Sequence, residues 1–118
     1  GVIRLAVRFA TDAEMKQLLE MAVFDLDPAD PEFPKKYSKY NLEFHLFTAK
    51  LSQNPYLYTA LENTMIKLKT VLIHTGKEHI EKDIQVHLKL AEAMSRRDAE
   101  EACRIEFEDL EKSIPSIF

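Results

Sequence analysis

Glycine is nearly missing from this chain of 118 residues, at two residues, and cysteine occurs once. So little glycine disfavours a turn-rich all-β fold, whose tight hairpins draw on its backbone freedom. The single Cys103 cannot form an internal disulfide and suits a reducing, cytoplasmic compartment. Its place among apolar helix positions predicts a buried, inert thiol. Positive charge is not in surplus either. Sixteen Lys and Arg against twenty Asp and Glu leave a formal net charge of −4 and a pI near 5.6. No basic footprint for nucleic acid is present. No apolar run approaches the roughly 20 residues that a membrane helix needs. No signal-peptide pattern opens the chain. What is there is ordinary for a soluble globular protein: 46% hydrophobic and 31% charged residues, in a length that suits one domain with one core.

Helix signals recur from end to end. The segment VIRLAVRFA has no start signal of its own and reads as the tail of a longer helix. Thr11 and Glu14 form a capping box that opens a helix over 12–26. DPADPEFP, residues 27–34, breaks the pattern with three prolines. A helix over about 35–52 follows. Asn54 as N-cap and Pro55 in the first turn start another, running to His74. Thr75 and Glu78 form a second capping box, opening a helix to about Arg97. Asp98 and Glu101 cap the last helix, which ends before Pro115. The expected fold is all-α: a single domain over 1–118, an antiparallel bundle of about six helices joined mostly by short turns.

One stripe of this bundle is of an unexpected kind. Asn41, His45, Thr48 and Ser52 take the i, i+4, i+7, i+11 spacing that a helix normally gives its buried apolar residues. On the helix after Gly76, the inward stripe is Ile80, Ile84, Ala91 and Met94, flanked by Leu88 and Leu90, and His87 falls inside it. On the last helix Ala99, Ala102, Cys103, Ile105 and Leu110 define the inward arc, with Asp109 between them and Glu106 beside it. Three helices therefore aim polar or ionisable groups at the interior. A buried carboxylate is costly unless paired or bound to a cation. Each group also has a plain structural reading. His45 can be a core histidine bonded to Asn41, His87 a satisfied core histidine, and Asp109 a solvated edge residue. Thr48 and Ser52 can bond their own backbone. His74 and His79 read as surface residues.

Several stretches resemble a known family. NLEFHLFTAKLSQN looks like the Asp-x-x-Phe-His signature, followed by Ser-x-Asn, of the FCD effector-binding domain. That domain is the C-terminal part of FadR-type GntR bacterial transcription regulators. RFATDAEMKQLLEM is similar to the family's Ala-Thr-x-x-Glu-hydrophobic junction. VHLKLAEAMSRRDAEEACRIEFEDLEKS resembles its closing segment. The resemblance implies a divalent metal held in the bundle by an aspartate and three histidines, beside a cavity for a small effector, often a carboxylate. Those ligand positions are Asn41, His45, His87 and Asp109 here, so two keep the family's residue and two depart. The departures compensate in charge, because an asparagine replaces the aspartate and an aspartate replaces one histidine. The expected site binds a divalent ion (Zn, Ni or Mn) through His45, His87 and Asp109, with Asn41 a weak or outer partner. Fewer imidazoles favour a harder, oxygen-tolerant ion. A metal-free pocket that binds the effector directly is the rival. Thr48, Ser52, Arg4 and Arg8 are the candidate effector contacts. A homodimer is implied, with DNA bound only through a winged-helix domain that these residues do not include. Two other classes are a metal-dependent hydrolase, for which Glu106 is the only inward base, and a helical interaction module without a pocket.

Overall fold

A computed structural model describes the backbone of residues 2–24, 27, 29–73 and 77–113, and the side chains of 2–24, 27, 29–64 and 80–108. Among the described residues six helices follow one another: α1 (Val2–Phe9), α2 (Asp12–Ala22), α3 (Phe33–Leu51), α4 (Pro55–Ile73), α5 (Lys77–Ser95) and α6 (Ala99–Ser113). They form the all-α bundle that the sequence predicts. Among the described residues no helix is long and apolar enough to cross a membrane.

The local signals account for most helix ends. Thr11 accepts from the Glu14 amide at 3.1 Å, and the Glu14 carboxylate accepts from the Thr11 amide at 2.9 Å. This reciprocal pair satisfies two amides that the first turn of α2 would leave open. Asn54 Oδ1 accepts from the amides of Tyr56 and Leu57 at 3.1 and 3.2 Å, so it caps α4 as expected. Asp98 Oδ1 accepts from the Glu101 amide and caps α6. The Thr75–Glu78 box lies outside the described residues.

Three boundaries differ from expectation. Helix α2 stops at Ala22, not at Leu26. Val23 is extended, and the next ring, Phe24, stacks on Tyr40 at 4.7 Å. A tertiary contact thus overrides the apolar run that continued the helical pattern. Helix α3 starts at Phe33, two residues early, because Pro34 is compatible with a first turn whose amides have no partners anyway. Helix α5 stops at Ser95 instead of Arg97. There the Arg97 amide bonds Met94 O and the Asp98 amide bonds Ala93 O, the pairing of a Schellman motif. Arg97 takes the left-handed position, with φ of 61°, that glycine usually fills. Its guanidinium then reaches Val7 O at 2.7 Å and Asp12 at 3.0 Å, and so clasps the α1–α2 junction to the end of α5.

Helix α3 is the centre of the bundle, packed against α1, α2 and α4, while α5 lies against α2, α6 and α1. Phe33, Tyr37, Tyr40, Phe44 and Leu51 form its buried apolar stripe, at the 3-and-4 spacing of one helix face. The main core joins Phe44 and Leu51 to Ile3, Met15, Leu18, Leu90 and Met94. A second cluster gathers Phe33, Tyr37, Tyr40 and Ile80, with Phe24 and Ile84 against it. Leu90, expected on a flank, is fully in the core. Cys103 is half-buried, not buried, because α6 sinks little more than Ala102 into the core among the described residues.

Candidate functional site

The polar stripe of α3 is wider than the sequence pattern indicated. Ser38, Asn41, Thr48 and Ser52 are all buried, and His45 is half-buried. Ser38 lies three residues before Asn41 and extends the ladder by one turn. The Ser38 Oγ and Asn41 Oδ1 atoms are buried without a hydrogen-bond partner. Lower on the helix, the hydroxyls are already used. Thr48 donates to Phe44 O at 3.0 Å and Ser52 to Ala49 O at 2.5 Å. These are the local backbone bonds open to Ser and Thr within helices.

Across the interior, α5 presents His87, which is 1% exposed. It sits at the seam between the two apolar clusters. Its ring stacks on Phe44 at 4.6 Å, meets His45 edge-on at 4.8 Å, and lies 5.5 Å from the ring of Tyr40. Burial pushes both imidazoles down to about 4, and for His45 the proximity of His87 adds to the effect while Asp83 opposes it. Both are therefore neutral at neutral pH.

The proton positions on His87 follow from its neighbours. Tyr40 donates its one hydroxyl proton to Ala22 O at 2.8 Å. The Nδ1 of His87 is 3.2 Å from the same oxygen. With that hydroxyl proton committed, Nδ1 must be the donor, and neutral His87 carries its hydrogen there. The Nε2 atom is left as a bare lone pair, buried and without a hydrogen-bond partner. Oδ2 of Asp83 lies 3.7 Å from it. That carboxylate also accepts a short hydrogen bond from the Tyr37 hydroxyl. An acceptor nitrogen thus faces an acceptor oxygen with no proton between them. Burial, and the charge of Asp83, raise the pKa of Tyr40 well above the usual phenol value, so its hydroxyl keeps its proton.

Of the residues picked out from sequence, His45 and His87 meet at 4.8 Å between ring centres, and Asn41 is buried one turn before His45 on α3. The side chain of Asp109 lies outside the described residues, as do those of His74 and His79. Arg4 and Arg8 are exposed on α1, with Arg8 over the ring of Phe9 at 5.5 Å, and neither enters this cluster. Asp83 and Ser38 were not picked out from sequence. The signal for Asp83 was its spacing: Asp83 and His87 repeat on α5 the four-residue interval of Asn41 and His45 on α3. Among the described residues, no three His, Cys, Asp or Glu side chains already stand as a closed metal site. The described surface grooves lie elsewhere. One of about 460 Å³, at the α3–α4 corner, is lined by Lys50, Gln53, Asn54 and Tyr58 among others. The histidines line neither it nor its smaller neighbour.

Comparison with known proteins gives one family match. The model of the FCD domain matches residues 1–111. No curated protein and no solved structure matches the chain.

Proposed function

The chain belongs to the FCD domain family, the effector-binding C-terminal domain of GntR-family regulators, and from that premise we propose that its buried polar cluster is a divalent-cation site beside which a small carboxylate effector binds. The family is regulatory and generally non-enzymatic. The observation that carries the reading is His87 Nε2, buried without a hydrogen-bond partner and 3.7 Å from Asp83 Oδ2. Buried acceptors need a donor or a cation, and a cation satisfies several at once. The ring's other nitrogen is anchored through Tyr40, which is how metal-bound imidazoles are commonly oriented.

His45 and His87 would hold the ion, with the amide oxygen of Asn41 as a weak ligand and Asp109 of α6, which stands where the family pattern has its third histidine, as a carboxylate ligand. Two imidazoles with oxygen donors suit Zn, Ni or Mn. The bound ion would leave a position for a carboxylate oxygen of the effector. Ser38 Oγ, buried and without a partner, is suited to orient the effector; Thr48 and Ser52 would have to give up their backbone bonds to do so. Binding would favour one arrangement of a homodimer and so change operator affinity through a winged-helix domain outside these 118 residues, in the cytoplasm.

Metal analysis of the purified chain, with thermal unfolding before and after addition of Zn2+, Ni2+ or Mn2+, tests the reading. It expects bound metal or a rise in melting temperature that His87→Ala abolishes. Absence of both, together with direct carboxylate binding by the metal-free chain, would replace it with a metal-free pocket.

A further inference from the structure

Asp83 has no place in the ligand pattern of the family, yet among the described residues it is the carboxylate found beside the two histidines. It is half-buried, with 17% of its side chain exposed. Among the described residues no lysine or arginine pairs with it. Its contacts are the Tyr37 hydroxyl, which donates to Oδ2, and His87 Nε2, 3.7 Å from that same oxygen. The second contact cannot be a hydrogen bond while Nε2 holds a lone pair.

The distance has a simple meaning. Two ligands bound tetrahedrally at about 2.1 Å to one ion are separated by about 3.4 Å. The observed N···O gap exceeds that edge by a few tenths of an ångström, which a small side-chain rotation closes. The pair is also placed by symmetry of spacing. Asn41 precedes His45 by four residues on α3, and Asp83 precedes His87 by four on α5, so each helix offers an oxygen one turn before its imidazole. On α3 that oxygen is a neutral amide; on α5 it is a carboxylate.

We propose that Asp83 supplies the anionic ligand of the cation site, from the helix opposite the one on which the family carries its aspartate. The inference rests on the cation reading above and deepens it. The Tyr37 hydroxyl positions the carboxylate by binding Oδ2, whose second lone pair and whose Oδ1 stay open to an ion. The charge balance also selects the effector. Asp83 alone repels an anion, whereas a divalent ion held by Asp83 in place of Asp109 presents one net positive charge. The carboxylate effector therefore binds only after the metal.

The test is titration of the chelator-treated full chain with Co2+, read by visible absorption, and with Zn2+, read by melting temperature. Asp83→Asn, Asp109→Asn and His87→Ala are compared with the unmutated chain. Asp83→Asn keeps an acceptor for Tyr37 and removes only charge. It is expected to weaken Co2+ binding by roughly tenfold or more, the scale set by loss of metal-site partners, with an unchanged metal-free melting temperature. An Asp83→Asn chain that binds Co2+ as tightly as the unmutated one, while Asp109→Asn loses it, overturns the proposal and leaves the cation reading standing. If Asp83→Asn loses as much stability without metal as with it, Asp83 is only a clamp for Tyr37 and the proposal fails. No Co2+ or Zn2+ binding by the unmutated chain sinks both readings. Independently of any variant, an anomalous difference map of the Zn2+-loaded chain is expected to place the ion in bonding distance of Asp83. A peak on His45 and His87 alone contradicts it.

Discussion

At the scale of single residues, the two imidazoles set a pH dependence whose sign can be worked out. Their folded-state values are near 4, against 6.5 for a free histidine. As pH falls below 6.5 the unfolded chain takes up these protons first, so stability is lost between pH 6.5 and 4 and is unaffected above. The slope is up to about 1.4 kcal/mol per pH unit for each histidine. Asp83 faces both rings and Tyr37 and Tyr40 border them, so the loss belongs to the cluster as coupled groups. Urea unfolding of the metal-free chain at pH 7, 6, 5 and 4 measures it, and His87→Phe should flatten the profile. A profile that is flat in the unmutated chain would mean that water reaches the rings. Tyr40→Phe is a second test. It removes the bond to Ala22 and leaves His87 Nδ1 without its anchor. The expected cost is about 1–3 kcal/mol, the range for stranding a buried polar group. Metal affinity should fall as well, by about 10- to 100-fold.

At the scale of helices, the near-absence of glycine leaves a visible mark. Helices α3 and α5 both end on a left-handed residue, and neither is glycine: Gln53 has φ of 58° and Arg97 of 61°. A side chain in that region costs roughly 1–2 kcal/mol. Arg97 offsets it with two side-chain hydrogen bonds, whereas exposed Gln53 has no such return. Gln53→Gly should therefore stabilise the chain by up to about 1 kcal/mol, read as a raised urea midpoint at constant slope. A neutral or lower midpoint would show that glycine's extra freedom in the unfolded chain cancels the gain. The helix starts were open to reading from sequence because Thr11, Asn54 and Asp98 act on amides two or three residues away. The ends were not, because the end of α2 depends on Phe24 finding Tyr40, 16 residues later. Asp83 escaped for a similar reason: His87 is its neighbour one turn on along α5, but only the fold brings Tyr37 of α3 to its carboxylate.

At the scale of the whole molecule, the proposed cation site, shared by α3 and α5, would make the ion a brace between two helices, and folding would then be linked to it. Zn2+ at 100 times its dissociation constant should add about 2.7 kcal/mol to stability. Calorimetry at rising Zn2+ would show the melting temperature climbing with concentration and not saturating at one equivalent. A melting temperature independent of Zn2+ would mean that the site is absent or that the unfolded chain binds the ion equally well. The bundle and the inward histidines could be read from periodicity, which is a property of each helix taken singly. The proton arrangement between helices could not, and it hangs on a detail already described. Had α2 run on to residue 26, the carbonyl of Ala22 would have been engaged by the amide at that position, the normal partner four residues on. Tyr40 would then be free to give its proton to the imidazole, and the lone pair of His87 would point at a phenol instead of into the cluster. The stopping point of one helix thus decides which way a nitrogen on another can act as a base.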